Sequence, residues 1–199
     1  VNAAKRALRA RIRAERRGRD PRLRQEEAEA LAVTVLELPE VQAARCVTLY
    51  ASTPSEPPTE RARRALRRIG IRVLLPIVLP DGILEWAEDS GPLRPVTGLG
   101  GAEPTGPRLG IAAIAEADVV LAPALAVDTL GHRLGQGAGY YDRALPLIPP
   151  GVPVIALANV TEVLDAAVET VPTEAHDRRV DAVVTPRGCL RLDPALLLR

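Results

Sequence analysis

The chain has 199 residues, a formal net charge of +1, 47% hydrophobic and 26% charged residues. That balance suits one folded domain with a real core, and excludes a disordered chain or a small disulfide-built scaffold. No apolar run approaches the roughly 20 residues of a bilayer span, and no apolar stretch follows the first six residues to make a signal peptide, so a cytoplasmic protein is expected.

The apolar content is aliphatic: Phe and Met are absent, and Trp86 and three tyrosines are the only aromatic residues. Cys46 and Cys189 are too few for a disulfide framework, and both are expected as buried thiols. Residues 1–24 hold Lys5 and nine arginines against Glu15 and Asp20, while the rest carries sixteen basic and twenty-three acidic residues, a balance of −7. Lys5 is the one lysine in a chain that otherwise uses arginine. It marks a position where a compact ammonium is wanted.

In chain order, residues 3–17 read as a helix. Leu8 and Ile12 share one face, and Lys5, Arg9, Arg13 and Arg16 line another. Asp20 and Pro21 punctuate as cap and first helical residue, and a second helix runs to about Leu38 with Leu31, Val35 and Leu38 inward. Residues 47–50 form a short strand, residues 52–58 a loop, residues 59–69 an Arg-rich helix and residues 72–76 the next strand. Residues 80–110, rich in Gly and Pro, read as edge strands and surface connections around Ile83-Leu84-Glu85-Trp86, with Trp86 as packing. Residues 118–123 are a buried strand leading through Asp128, a candidate loop cap, into a glycine-rich segment. A helix is expected over residues 140–147, and residues 154–157 and 182–184 are two more buried strands. Alternating helices and aliphatic strands predict a single three-layer α/β/α domain over residues 1–199, with an open, largely parallel sheet.

The glycine-rich segment runs Gly131-His132-Arg133-Leu134-Gly135-Gln136-Gly137-Ala138-Gly139-Tyr140-Tyr141-Asp142-Arg143. Bare backbone lets N–H groups approach an anion, and a helix beginning there aims its positive end at the same point. Arg133 adds a forked cation, and Asp142 a carboxylate of the kind that holds magnesium beside nucleotide phosphates. Neither a Gly-Lys-Ser/Thr ending nor an acidic strand end about 20 residues on is present, so this is neither a Walker A loop nor a dinucleotide fingerprint. A tight turn that uses glycines for geometry alone is the plainer alternative.

These residues resemble the signature of the 5-formyltetrahydrofolate cyclo-ligase family, also called methenyltetrahydrofolate synthetases. Four further pieces agree in order: Lys5-Arg6-Ala7-Leu8-Arg9, the segment from Tyr50 to Thr59 with Glu56, the strand from Asp118 to Asp128, and Glu174-Ala175-His176-Asp177 followed by Val180-Asp181. Val127 departs from the family's usual Phe, Gln136 and Ala138 fill variable places, and Pro57-Pro58 after Glu56 is less usual. The resemblance implies closure of 5-formyltetrahydrofolate to 5,10-methenyltetrahydrofolate, with ATP as co-substrate and Mg2+ as cofactor. It implies an ATP site of Lys5, Arg6, Ala7, Leu8, Arg9, Arg133, Leu134, Gly135, Gln136, Gly137, Ala138, Gly139, Tyr140 and Tyr141, with Lys5 and Arg133 acting on the reacting phosphate. It implies folate contacts from Ala51, Glu56 and Tyr140, and metal contacts from Asp142 and Asp177.

Each residue also has a plainer role. Lys5 and Arg9 could belong to a solvated basic helix, the role assigned to Arg13 and Arg16. Asp142 could be a helix-start carboxylate, Asp177 a turn cap, Glu56 a solvated loop carboxylate. One of the two tyrosines is core, and His176 is read as structural. A monomer is expected, without a membrane or nucleic-acid partner. The basic amino terminus carries apolar residues at helical spacing and so docks, and base-stacking aromatics are almost absent. The rival within the fold is an ATP-binding relative that acts on another small substrate or on none.

Overall fold

A computed structural model describes residues 1–96, 101–174 and 177–192. The amino-terminal third is helical: α1 (Asn2–Arg17), α2 (Leu23–Glu37) and α3 (Pro39–Ala43) precede β1 (Cys46–Thr48), and α4 (Glu60–Arg68) follows it. Next come β2 (Arg72–Val78), β3 (Leu84–Glu88), β4 (Leu93–Pro95), β5 (Ala102–Pro104) and β6 (Arg108–Gly110). The chain then makes β7 (Val119–Pro123), β8 (Ala126–Asp128), β9 (Arg133–Leu134) and α5 (Tyr140–Ala144). It ends with β10 (Val154–Leu157), β11 (Val163–Leu164), β12 (Ala182–Thr185) and β13 (Gly188–Arg191).

Eight of these strands form one sheet in the order β13-β12-β10-β7-β1-β2-β3-β6. The middle five are parallel, and β13, β3 and β6 add antiparallel edges. Successive side chains of a strand point to opposite faces, so the parallel strands, buried on both sides, feed two cores. Val119 and Leu121 meet Leu31, Val35 and Leu66 of α2 and α4, whereas Val120 and Ala122 meet Trp86, Tyr141 and Leu145 on the other face. Helix α1 stands apart from both layers. Its Leu8 and Ile12 pack on Leu125, Ala126, Leu134 and Val171, beside a small sheet of β11, β8 and β9. That placement brings the basic helix to the glycine-rich segment. No described helix is long and apolar enough to cross a membrane.

The elements depart from expectation where local chemistry intervenes. Helix α2 starts at Leu23, because the Asp20 carboxylate accepts the Arg22 N–H (3.0 Å) and closes a turn over Pro21. The expected helix over residues 140–147 is α-helical only to Ala144 and tightens to a 3₁₀ turn at Leu145–Leu147. Pro146 has no N–H to continue the α ladder. Helix α3, with Pro39 in its first turn, was not anticipated.

Cys46 is buried as expected, but Cys189 is exposed, because β13 is an edge strand. Burial pushes the Cys46 thiol up to about 11. At pH 8 an aromatic disulfide reagent is therefore expected to titrate one thiol in the native protein and the second only with denaturant. Two thiols reacting at the same rate without denaturant would contradict this placement.

Candidate active site

The glycine-rich segment leaves the small sheet at β9 and ends where Gly139, at φ 70°, caps α5. Helix α5 is one turn long, so it offers an anion the free N–H groups of that turn rather than an extended dipole. Arginines hold the loop's carbonyls. The Nε of Arg9 donates to the Gly135 oxygen at 2.9 Å, Nη2 of Arg13 to the Gln136 oxygen at 2.8 Å, and Nη2 of Arg143 to the Ala138 oxygen at 3.0 Å. Gly137 sits at φ 107°, a conformation that calls for glycine, and a Cβ there would lie 3.3 Å from the Arg9 guanidinium.

Arg133 is sunk in the wall, its side chain 4% exposed. It donates to Asp142 Oδ1 at 2.7 Å and to the Pro123 carbonyl at 3.3 Å, and lies 5.8 Å from the Tyr141 ring centre. Burial draws its pKa down, while the Asp142 charge works against that. Its Nε is buried without a hydrogen-bond partner.

Helix α1 brings Lys5 to the same cavity as Arg133. Its ammonium donates to Asp177 Oδ2 at 2.6 Å and to Glu174 Oε2 at 3.2 Å. Burial acts to lower the Lys5 pKa, but the two carboxylates outweigh it and the net shift is upward. The same Asp177 oxygen accepts the Glu174 N–H at 2.8 Å.

These walls enclose a cavity of about 760 Å³. Its lining includes Lys5, Arg9, Arg133, Asp142, Asp177 and residues 134–139. It also includes Pro76, Val78 and Leu84 of the β2–β3 hairpin with Tyr50, Ala51 and Glu56. Glu56 Oε2 accepts the Thr53 N–H at 2.9 Å, which folds its carboxyl back over the loop. Tyr140 and Tyr141 also border the cavity. Tyr141 is the core member, edge-on to Trp86 at 6.4 Å with a buried, unpartnered hydroxyl, and Tyr140 is half-buried. Trp86 is fully buried packing, and Asp128 caps the loop by accepting the Leu130 and His132 N–H groups.

Three residues of the expected ATP set stay out of the cavity. Arg6 and Ala7 face solvent, and Leu8 goes into the core under the small sheet. A helix turns about 100° per residue, so positions three or four apart, Asn2, Lys5 and Arg9, share the cavity face and the residues between them do not. Arg13 and Arg16 are not merely solvated. Arg13 holds Gln136, and Arg16 is buried against Glu162. His176 lies outside the described residues. Asn2 and Glu103 line the cavity without having been anticipated. No motif in the sequence marks either.

Residues 1–186 match the family model described as the 5-formyltetrahydrofolate cyclo-ligase family. The chain belongs to this family. The Mycolicibacterium smegmatis 5-formyltetrahydrofolate cyclo-ligase is 42% identical over 158 residues, covering 74% of this chain and 77% of that one. The Escherichia coli K12 cyclo-ligase is 30% identical over 88% of this chain and 96% of its own. The solved 5,10-methenyltetrahydrofolate synthetase of Aquifex aeolicus superposes with a TM-score of 0.77 at 26% identity, covering 94% and 92% of the two chains. As a member of this family the protein is a ring-closing ligase, built on the mostly parallel α/β sheet described above.

Among the described residues of the cyclo-ligase, no three His, Cys, Asp or Glu side chains cluster as a ready-made metal cage. A magnesium ion brought in with a nucleotide would need only one or two protein carboxylates, its other ligands coming from phosphate and water. Asp142 and Asp177 both line the cavity with Lys5, Arg9 and Arg133. Asp142 gives one oxygen to Arg133 and has a side chain 39% exposed, whereas Asp177 is tied to Lys5 and the Glu174 backbone.

Proposed function

We propose that this cyclo-ligase converts 5-formyltetrahydrofolate to 5,10-methenyltetrahydrofolate with ATP and Mg2+, releasing ADP and phosphate. The observation that carries this is one cavity lined by both a cationic, glycine-rich set and an apolar set with a carboxylate. A triphosphate suits the glycine loop, Lys5, Arg9 and Arg133. A flat, largely apolar pterin with N–H donors suits the hairpin's aliphatic side chains, Tyr50 and the Glu56 carboxylate.

A formamide carbon is a poor electrophile, and its oxygen a poor leaving group. The formyl oxygen attacks the γ-phosphorus and ADP departs, leaving an N-5 iminium phosphate. N-10 then attacks the same carbon, loses its proton, and the C–O bond breaks to release inorganic phosphate. The protein has to hold the formyl oxygen in line with the phosphorus and neutralise charge on the moving group. Lys5 and Arg9 meet the phosphates from α1, and Arg133 meets them from below. Glu56 accepts from pterin N–H groups, with Ala51 and Tyr140 beside it. Asp142 is the first-choice metal ligand and Asp177 the second; the ion, when bound, screens the triphosphate. The only covalent steps are phosphoryl transfer and ring closure, so no enzyme nucleophile is needed.

The test is the growth of methenyl absorbance from 5-formyltetrahydrofolate, which is expected only when protein, ATP and magnesium are all present. Asp142→Ala is expected to raise the magnesium concentration needed for half-maximal rate and to weaken magnesium-dependent ATP binding. Glu56→Gln is expected to lower folate turnover and leave nucleotide binding intact. Absorbance that grows without ATP would end this reading.

A further inference from the structure

Arg24, in the first turn of α2, does not line the cavity, yet it makes four contacts to the loop that carries Glu56. Its Nη1 donates to the Pro54 and Glu56 carbonyls at 3.0 and 2.9 Å. Its Nη2 donates to the Thr53 carbonyl and the Ser52 hydroxyl, both at 3.3 Å. Four residues of the five-residue stretch 52–56 thus meet one guanidinium. The first turn of a helix is where a cation is least favoured. A basic residue that spends its donors on a neighbouring loop from there is placed against its own helix's preference.

The loop bonds to itself at several points, but the Pro54 and Glu56 carbonyls are held by Arg24. Pro54, Pro57 and Pro58 have no N–H to offer. The loop's anchors lie at its ends, where Thr59 Oγ1 donates to the Tyr50 carbonyl at 2.6 Å and the Thr59 N–H donates to Ser52 Oγ at 3.1 Å. Between them, the Thr53 carbonyl accepts the Glu56 N–H at 3.2 Å and the Thr53 N–H binds the Glu56 carboxylate. Without Arg24, the Pro54 and Glu56 carbonyls would turn toward water, and the backbone that aims the Glu56 carboxylate would turn with them. Asp142, Lys5 and the glycine loop make none of these contacts.

We infer that Arg24 is a positioning residue that fixes the Glu56 loop in its folate-binding shape, and so sets affinity for the folate without touching it. This rests on the assignment of Glu56 to folate. A guanidinium presents a planar fork of donors, whereas an ammonium is a compact point with three. Lysine at this position cannot reach four acceptors spread over five residues.

The experiment measures kcat and KM for 5-formyltetrahydrofolate and for ATP in the wild type, Arg24→Ala, Arg24→Lys, Glu56→Gln and the Arg24→Ala/Glu56→Gln double variant, with thermal midpoints. Misplacement of a binding group by about an ångström costs up to about a hundredfold. Arg24→Ala is expected to raise KM for folate about tenfold or more and to leave KM for ATP within about twofold. Arg24→Lys is expected to keep the wild-type thermal midpoint without restoring folate KM. The double variant is expected to be little worse than Glu56→Gln, because the two residues act through one contact. Folate and ATP constants that shift together, or losses that multiply independently in the double variant, would overturn the inference and leave the folate assignment standing. A wild-type protein that does not turn over 5-formyltetrahydrofolate ends both.

Discussion

Lys5→Met is expected to lower kcat/KM by about a hundredfold or more, the scale set by removing a preorganised charged donor from developing phosphoryl charge. The thermal midpoint should move by only a few degrees. The two outcomes separate because Lys5 and the anchors of α1 are different residues. Leu8 and Ile12 are buried in the core under the small sheet, and Arg16 is fixed deeper in the protein, so the helix stays docked without the ammonium. What is lost is the cation between Asp177 and Glu174 at the lip of the cavity. The cavity then has one positive charge fewer to meet a triphosphate, so the defect should appear in KM for ATP as well as in kcat. Lys5→Arg should recover little. The site holds a compact ammonium 2.6 Å from one carboxylate and 3.2 Å from another, and a planar fork needs a different arrangement of acceptors. Steady-state rates with ATP varied at saturating folate decide the matter. Unchanged ATP kinetics in Lys5→Met would remove α1 from the nucleotide site.

Lys5 also shows what the sequence made legible. A single lysine in an arginine-rich chain, four residues before Arg9, pointed to the cavity face of α1, and the glycine run with Arg133 and Asp142 pointed to the opposing wall. Both signals are local in sequence. The central strands were legible for the same reason, since an unbroken aliphatic run such as Val119-Val120-Leu121-Ala122 suits only a strand covered on both faces. The pairings made at long range were not. Arg13, Arg16 and Arg24 look like one solvated basic series with Arg6 and Arg17. Their partners are Gln136, Glu162 and the loop at 52–56, between 28 and 146 residues away. Charge and spacing along α1 cannot tell which arginine turns inward. That is decided by what the fold places under each one. Cys189 failed in the same way, because its apolar neighbours suit a core strand as well as the edge strand it occupies.

Arg16→Ala is expected to destabilise the protein by about 3–5 kcal/mol, the usual cost of removing one partner from a buried ion pair. For a chain of this size that lowers the thermal midpoint by roughly 6–20 °C. The pair is fully enclosed, with each side chain 2% exposed. Arg16 Nε and Nη2 meet the two Glu162 oxygens at 2.6 and 2.8 Å, and Nη2 also donates to the Ala124 carbonyl at 2.7 Å. Burial works against the charged guanidinium, but the bonds and charge of Glu162 outweigh it and hold its pKa above the usual value. Truncation would strand the Glu162 charge, whose remaining partners are the backbone N–H and side-chain amide of Asn159 at 2.8 and 2.6 Å. Most of the loss should therefore come from the orphaned carboxylate rather than from missing attraction. A neutral replacement tests this directly. Arg16→Met combined with Glu162→Gln removes both charges and keeps an acceptor for Asn159, and is expected to recover more than half of the stability lost in Arg16→Ala. Chemical denaturation of the three proteins gives the comparison. A double variant as unstable as the single one would mean that the ion pair itself, and not the relief of a stranded charge, secures the end of α1.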